Sequence, residues 1–503
     1  DEVSVGYGSN HRRKFQLFNA MEVGQVHLDI FAFMDMDEGD DFHVQDTFSA
    51  NRIGTDDPRD TAGLNVKLQW HNTSLNFQHN QSEVENFYEF SGISNGFNER
   101  TAYMSAVSFK QALDWDAIDS YVWLSHLESK LDASTQVTSP GDLFAISSPA
   151  SNDAMFGRVD FETAKETRAL WHGDWAIDLD SSFQFGVEYR HIYSPEVVAQ
   201  NNFDTGDLAN GVIPIRYYGS LFASTPVIKE SERDIFGAYG QYQHKLFNNT
   251  YLTLGLRYDD FSSIGNNMSP RISLVYEIND DHTIKLLYAE AFRVPTEGEL
   301  FTVNNATVEG NSELVPETVR TNELIWVGSW TRTSASLAYF EARFQDSIVT
   351  TTTGVTQTYQ NIDQDPSKGI EFELTHELNA QWLLRGTYMH LVETPTLSFR
   401  ESEQFGSMAI NYQRGRWNAN LIATYQTNRD IFARNSNGNR VTLDGYGMLF
   451  GKLQYKFGGE WHGYIQVKNM LDKSYTTPSE SETITEGVPN RGREILAGVV
   501  WKF

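Results

Sequence analysis

The chain ends in Arg493-Glu494-Ile495-Leu496-Ala497-Gly498-Val499-Val500-Trp501-Lys502-Phe503, a segment with a period of two residues. The odd positions from Ile495 onward are Ile, Ala, Val, Trp and Phe, whereas the even positions are mixed, with Leu496 and Val500 as apolar exceptions. A strand places alternate side chains on opposite faces, so the pattern predicts one apolar face and one wetter face. Such a strand, closing on an aromatic residue, is typical of a wall between lipid and water and predicts a transmembrane β-barrel.

Bulk composition agrees with a barrel and excludes helical membrane insertion. Hydrophobic residues make up 40% of the 503 residues, and the mean hydropathy is −0.45. A membrane-spanning helix needs about 20 consecutive apolar residues, and the sequence contains no such run. Only alternate residues of a barrel strand face lipid, so its bulk hydropathy resembles that of a water-soluble protein. The aromatic content of 13% is typical of the girdles at both membrane interfaces.

Charge and cysteine content narrow the function classes. The formal net charge of −28 argues against nucleic acid as a partner. Solvated loops and a polar lumen are the simplest interpretation of that charge. The absence of cysteine excludes disulfides and thiolate metal sites.

Alternating segments recur along the chain, and the lengths of their connections alternate as well. The pattern is clear in 182–189 and 251–259, and we count about 22 such segments. Short turns are predicted near residues 22–24, 71–73, 247–249, 279–281, 414–416 and 458–459. Longer polar stretches lie around 38–58, 83–98, 131–164, 195–229, 294–316, 348–365, 430–440 and 474–490. Short periplasmic turns and long extracellular loops are how outer-membrane barrels are built, so we expect an all-β antiparallel barrel of about 22 strands.

Six short motifs in a fixed order carry a family resemblance. They are Ser269-Pro270-Arg271, Ala291-Phe292-Arg293-Val294-Pro295 with Glu299-Leu300-Phe301, Leu314-Val315-Pro316-Glu317, Lys368-Gly369-Ile370-Glu371, Asn469-Met470-Leu471-Asp472-Lys473-Ser474-Tyr475, and Pro489-Asn490-Arg491-Gly492-Arg493 before the terminal Phe503. This order and spacing resembles the barrel of TonB-dependent outer-membrane receptors. Each motif alone is weak, but six in the right order are strong. The resemblance covers essentially the whole chain and is sharpest from about residue 269 to the end.

The resemblance implies a fold, a location and partners. In that family the barrel has 22 strands and lies in the bacterial outer membrane, in contact with lipid and lipopolysaccharide. An N-terminal plug domain occludes the barrel and contacts the inner-membrane TonB complex. Ligands such as ferric siderophores, haem, cobalamin or sugars bind to the outer loops and the plug apex. The expected activity is therefore uptake of a scarce nutrient, a ferric siderophore or similar metal chelate, and not an enzymatic reaction.

The sequence departs from the family pattern at its start. Residues 1–9 read as the first barrel strand, so we interpret 1–503 as a single barrel domain without the N-terminal plug domain. The plug was removed or lies outside this sequence, or it is a separate polypeptide, or the barrel works without one. The last case leads to the alternative function, a porin-like or accessory barrel that allows passive diffusion.

An acidic run gives one candidate site. Residues 35–41 contain Asp37, Asp40 and Asp41, whose carboxylates are candidate ligands for Ca²⁺ in an extracellular loop, since Ca²⁺ takes six to eight oxygen ligands. The spacing does not match an EF-hand loop. An acidic loop rim without metal is the alternative interpretation.

Two aromatic clusters in the long loops give the candidate contacts for the small-molecule ligand. The six residues are Phe87, Tyr88, Phe90, Arg216, Tyr217 and Tyr218. Aromatic rings beside a cation suit a planar or sugar-like ligand. The same residues also fit a girdle at the strand ends or packing between loops, and the sequence alone leaves these alternatives open.

Overall fold

The computed structural model describes the chain except for residues 46–51, 90–91, 94–95, 138–139, 142, 144–145, 306–307, 354–355, 436 and 480–483. Within these described ranges the protein is a closed antiparallel barrel of 22 strands, which confirms the predicted fold. Two short helices, α1 (Thr205–Ala209) and α2 (Glu297–Phe301), lie in the connections. Neither helix of the described part is long and apolar enough to cross a membrane.

The barrel strands follow chain order, and each pairs with the next. In the described residues they are Glu2–Gly8, Arg13–Val23, Val26–Asp37, Arg59–Trp70, Thr73–Glu85, Glu99–Trp115, Ile118–Gln136, Ala164–Ala176, Ser181–Ser194, Ser231–Phe247, Thr250–Phe261, Gly265–Asn279, His282–Arg293, Glu317–Trp330, Thr333–Gln345, Ser367–Asn379, Trp382–Glu393, Gln404–Arg414, Trp417–Gln426, Tyr446–Gly458, Trp461–Lys468 and Glu494–Lys502. Further strands lie in the connections, at Asp41–Gln45, Arg52–Asp56, Tyr88–Glu89, Gly92–Ile93, Ser147–Ser148, Phe156–Phe161, Val197–Phe203, Ile215–Ile228, Val308–Glu309, Ser347–Thr353, Thr356–Ile362, Arg429–Arg434, Arg440–Leu443, Thr476–Thr477 and Val488–Pro489.

The first and last strands close the barrel at a seam. Their antiparallel register places Val5 opposite Val499 and Gly8 opposite Leu496. An unpaired strand edge in hydrocarbon leaves a row of backbone groups without hydrogen-bond partners, so closure is required for a spanning sheet.

The side chains of the barrel strands alternate between the lipid and the lumen as predicted. Val187 and Tyr189 are exposed on the outer wall, whereas Glu188 between them is 4% exposed on the inner wall. In the strand Thr250–Phe261, Leu254 and Leu256 are also exposed on the outer wall. In a membrane these outward side chains contact lipid.

An aromatic girdle marks the short-turn end of the barrel. Among the described residues, the tryptophans exposed on the surface all lie at strand ends next to a short turn or the chain terminus: Trp70, Trp115, Trp175, Trp330, Trp382, Trp417, Trp461 and Trp501. Tryptophan is enriched at the membrane–water interface because its ring is apolar and its N–H is polar. The girdle therefore places the interface at these strand ends.

The connections are sorted by side. The predicted short turns all lie at the girdle end, for example between Trp70 and Thr73 and between Arg414 and Trp417. The long connections lie at the opposite end and begin and end within a few residues of the predicted stretches. Two connections at the long-loop end, 9–12 and 262–264, are short turns, and the sequence analysis identified neither these nor the connection 394–403.

One part of the wall rises above the rest. The strands Glu99–Trp115 and Ile118–Gln136 have 17 and 19 residues, and the short strands Phe156–Phe161 and Val197–Phe203 extend the sheet beside them. A small apolar core of Leu143, Met155, Phe203 and Ile215 holds this extension together.

Leu254→Arg tests the assignment of faces. The change places a cation among lipid tails, and we expect it to lower the free energy of unfolding by about 2–4 kcal/mol. Thr253→Arg, one residue away on the inner wall, should cost much less. Urea unfolding of both variants in lipid vesicles measures the difference, and equal losses would contradict the assignment.

Candidate ligand vestibule

A cluster of ion pairs joins two extracellular loops above the seam. Arg491 is its centre: its Nε lies 2.8 Å from Asp57 Oδ2, and its Nη2 lies 2.7 Å from Asp37 Oδ1. The same Nη2 donates to the backbone carbonyl of Asp57 at 2.6 Å. Glu494 is farther from Arg491, at 3.5 Å. We call Asp37, Asp57 and Arg491 the seam clasp.

The seam clasp is buried, and its burial determines how strongly it ties the two loops together. The side chains of Arg491 and Asp57 are 11% and 2% exposed. Burial disfavours the charged guanidinium, but the hydrogen bonds to Asp37 and Asp57 outweigh it and raise the pKa of Arg491 above its ordinary value. Backbone groups extend the contact, since Asp57 accepts from Asp40 N and Asp40 accepts from Gly492 N. Removing one member of a buried cluster leaves the others without full compensation. Here Asp57 has a further, half-exposed partner in Arg59, at 3.1 Å.

A polar cavity of about 670 Å³ opens beside the seam clasp. Three loops line it, with carboxylates at Asp41 and Asp444, the ammonium of Lys473, and the ring of Tyr446. Its position at the long-loop end places it at the mouth of the barrel.

The connection 294–316 is held against the inner wall by a second buried ion pair. Arg233 is 6% exposed, and its Nη2 lies 2.7 Å from Glu297 Oε1. The hydroxyl of Ser231 donates to Glu297 Oε2 at 2.6 Å. A capping box between Thr296 and Glu299 fixes the start of α2. The sequence analysis identified this segment only as a family feature and did not predict its partner Arg233.

A largely apolar cavity of about 810 Å³ lies between the start of α2 and the upper inner wall. Thr296, Glu297 and Gly298 line one side, and Phe33 and Met104 are among the residues of the facing strands. A cavity of this size falls in the range that holds a small molecule.

The inner wall below carries a compact charged cluster. Glu188 is 4% exposed and pairs with Arg168, with Arg190 at 3.1 Å and with Arg257 at 3.5 Å. Arg257 Nε also donates to Asp259 at 2.7 Å. Three guanidinium groups around two carboxylates give this part of the lumen a net positive charge in a chain whose formal net charge is −28.

The first group of predicted ligand contacts takes part in packing between loops. Phe87 is buried, and its ring lies 4.8 Å from that of Phe42. Tyr88 packs against the buried pair Val44 and Ile484. Phe90 lies outside the described residues. Ligand contact by this group stays a prediction.

The second group lies on the raised part of the wall, in a separate cluster. Tyr217 packs against the small apolar core and donates to Asp153, and this hydrogen bond raises the pKa of Tyr217. Tyr218 donates to Asp204 at 2.9 Å. The side chain of Arg216 is exposed, with Asp204 at 3.6 Å. Of these three side chains Arg216 is the most accessible to a ligand, and their role in binding also stays a prediction.

Two of the three predicted calcium ligands have protein partners. Asp37 belongs to the seam clasp, Asp40 accepts from Gly492 N, and Asp41 lines the polar cavity. Among the described residues no group of three or more His, Cys, Asp or Glu side chains is arranged to hold a metal ion. Calcium binding by these residues stays a prediction.

Comparison with known proteins places this architecture in a family. The family model described as "TonB dependent receptor-like, beta-barrel" matches residues 25–470. The chain belongs to this family. It is therefore a bacterial outer-membrane protein, as the motifs predicted, and its short turns face the periplasm.

Sequence relatives and solved structures agree with this family assignment. The chain is 26% identical over 341 residues to the probable TonB-dependent siderophore receptor PirA of Acinetobacter baumannii, a match that covers 57% of this chain and 45% of PirA. It is 25% identical over 248 residues to the ferrienterobactin receptor of Escherichia coli K12, covering 44% of this chain and 32% of that protein. The matches thus span less than half of each relative. The crystal structure of the ferric enterobactin receptor PfeA superposes with a TM-score of 0.77 at 16% identity, covering 100% of this chain and 81% of that chain.

Arg491→Ala tests the seam clasp. Because the change removes the guanidinium from Asp37 and leaves Asp57 only the half-exposed Arg59, at 3.1 Å, we expect a local loss of up to about 3–5 kcal/mol. Hydrogen exchange of the amides in 52–57 and 484–493 should become faster, while the barrel strands stay protected.

Arg52→Ala is the matched control, since Arg52 pairs with Glu486 across the same two loops but both side chains are more than half exposed. An exposed pair contributes about 0–1 kcal/mol. Equal exchange in both variants would show that the buried cluster does not hold the loops.

Proposed function

We propose that this chain forms the barrel of an active receptor that takes up a ferric siderophore or a similar metal chelate. One observation carries the proposal: the chain forms a barrel of this family, and at its extracellular end the loops are tied to each other and to the inner wall. Sequence similarity to two proteins named as siderophore or ferrienterobactin receptors supports the ligand class. The extracellular loops bind the chelate, and the barrel passes it to the periplasm.

The partners follow from the same proposal. A barrel of 22 strands is too wide to be filled by its own side chains, so a plug domain, in the same chain or as a separate one, closes the lumen. That plug transmits energy from the TonB complex of the inner membrane. The outer wall contacts phospholipid and lipopolysaccharide. A catalytic function has no support, because the family consists of receptors and transporters.

Energy dependence tests the proposal against passive diffusion. A strain lacking the gene is complemented with the full-length protein and supplied with radioactive ferric enterobactin and, separately, a ferric hydroxamate. We expect saturable uptake of at least one chelate, which a protonophore or deletion of tonB abolishes. Uptake that is linear in concentration and insensitive to the protonophore would favour the porin-like alternative, as would steady conductance of the full-length protein in planar bilayers.

Glu297→Ala, measured in the same strain, tests whether the connection 294–316 contributes to ligand binding. The change removes the partner of Arg233 and frees α2 from the wall. If the fraction of molecules in which α2 contacts the inner wall falls to about a tenth, the apparent Kd for the transported chelate rises about tenfold. Glu313→Ala, an exposed position of the same loop, should leave the Kd unchanged. Equal Kd values for both variants would exclude α2 from the binding site.

A further inference from the structure

The outer wall of the barrel carries a groove of about 690 Å³ at the seam. Ala497 and Gly463 form its floor. Alanine has a small side chain and glycine has none, and both residues are on the outer face. The register establishes this face: Gly463 lies opposite Val499 and Ala497 lies opposite Ile465, and both Val499 and Ile465 are exposed on the outside.

Three aromatic rings form one side of the groove. Trp417 lies 4.4 Å from Tyr455, and Tyr455 lies 5.4 Å from Phe457, measured between ring centroids. The ring of Phe457 covers Gly463 so closely that an added Cβ would lie 2.7 Å from it. Val5 and Tyr7 of the first strand form the other side. The groove is thus apolar on its floor and both sides.

The strands that form the barrel wall are also short where the groove lies. The first strand has 7 residues, the last has 9 and the strand before it has 8, whereas two strands elsewhere have 17 and 19. A tilted spanning strand needs about 9–11 residues. A bilayer adapts to a short hydrophobic span by local thinning, at a cost that a well-fitted lipid reduces.

One arginine lies at the periplasmic end of the groove. Arg414 pairs in register with the exposed Trp417 and so is on the same outer face. Among the described residues its guanidinium is in no ion pair with a carboxylate. A cation at the membrane interface attracts the phosphate of a lipid headgroup.

We propose that the groove binds one anionic phospholipid of the periplasmic leaflet. An acyl chain lies on Gly463 and Ala497 beside the three rings, and the phosphate contacts Arg414. The apolar lining of the groove, its position toward the periplasmic end of a short wall and the cation at its end all fit a lipid with one end apolar and the other anionic. The site is on the opposite face of the wall from the lumen, so it does not depend on the transported ligand.

Filling the floor tests the acyl-chain contact. The full-length protein is purified, stripped of lipid, incubated with phosphatidylglycerol vesicles, and examined by native mass spectrometry for bound lipid. Ala497→Trp should lower the affinity for phosphatidylglycerol about fivefold or more, since the tail loses its contacts with the floor. Ala32→Trp, at an outward alanine opposite the exposed Leu64, is the matched control and should bind lipid as the wild type does. Equal binding by both variants overturns the proposal.

Changing the charge tests the headgroup contact. Arg414→Gln should weaken phosphatidylglycerol binding about fivefold, the factor that loss of one cation near the surface corresponds to. Binding of phosphatidylcholine should change less, because its headgroup has no net charge. Arg332→Gln, at another short turn next to an exposed tryptophan, should have no effect. The alternative occupant of the groove is a second copy of the chain. A dimer that dissociates in Ala497→Trp but not in Ala32→Trp, with the amount of bound lipid unchanged, would overturn the lipid assignment.

Discussion

Backbone hydrogen bonding in hydrocarbon is the constraint on which the rest of this structure depends. Each N–H and C=O group of a spanning strand needs a partner from a neighbouring strand, because lipid offers none. A sheet satisfies the condition only when its first and last strands pair, and here the pairing of Glu2–Gly8 with Glu494–Lys502 completes it. Closure thereby brings together segments that are almost the full length of the chain apart.

Two of the main features of the molecule follow from that juxtaposition. Above the membrane, Asp37 ends the third strand and Asp57 lies in the loop after it, whereas Arg491 precedes the last strand. Closure therefore places these segments next to each other, and the seam clasp ties them. Within the membrane, the strands at the seam are the shortest of the barrel, and the small residues Gly463 and Ala497 leave a groove on their outer face. The seam is thus both the place where the extracellular loops are tied together and the place where the outer wall carries the groove proposed to bind a lipid.

The sequence was sufficient for the barrel because its signal is periodic and local. The period of two along Ser181–Ser194 and Glu494–Lys502 fixed which side chains face lipid, and the alternation of short and long connections fixed the topology. The candidate site was harder, because its contacts join residues far apart in sequence. The acidic run at Asp37 and the motif at Arg491 were each identified, but their pairing becomes evident only when the first and last strands are treated as neighbours. Aromatic clusters such as Phe87 and Tyr217 look alike in sequence whether they pack under a loop or face a ligand, since both roles need a large apolar surface.

Among the described residues the two buried ion pairs at the extracellular end, at Arg233 and at Arg491, use arginine as the cation, and the geometry at Arg491 explains why. Arg491 donates from Nε to one carboxylate and from Nη2 to another as well as to a backbone carbonyl, which the fixed fork of a guanidinium permits and a single ammonium does not. Arg257 likewise contacts both Glu188 and Asp259 from one planar group. In a chain with an excess of 28 negative charges, isolated buried carboxylates would be costly, and one guanidinium that pairs with two of them removes that cost with few cations. Replacing Arg491 with lysine should therefore restore the charge without restoring the hold on both loops, because the ammonium reaches one carboxylate at a time.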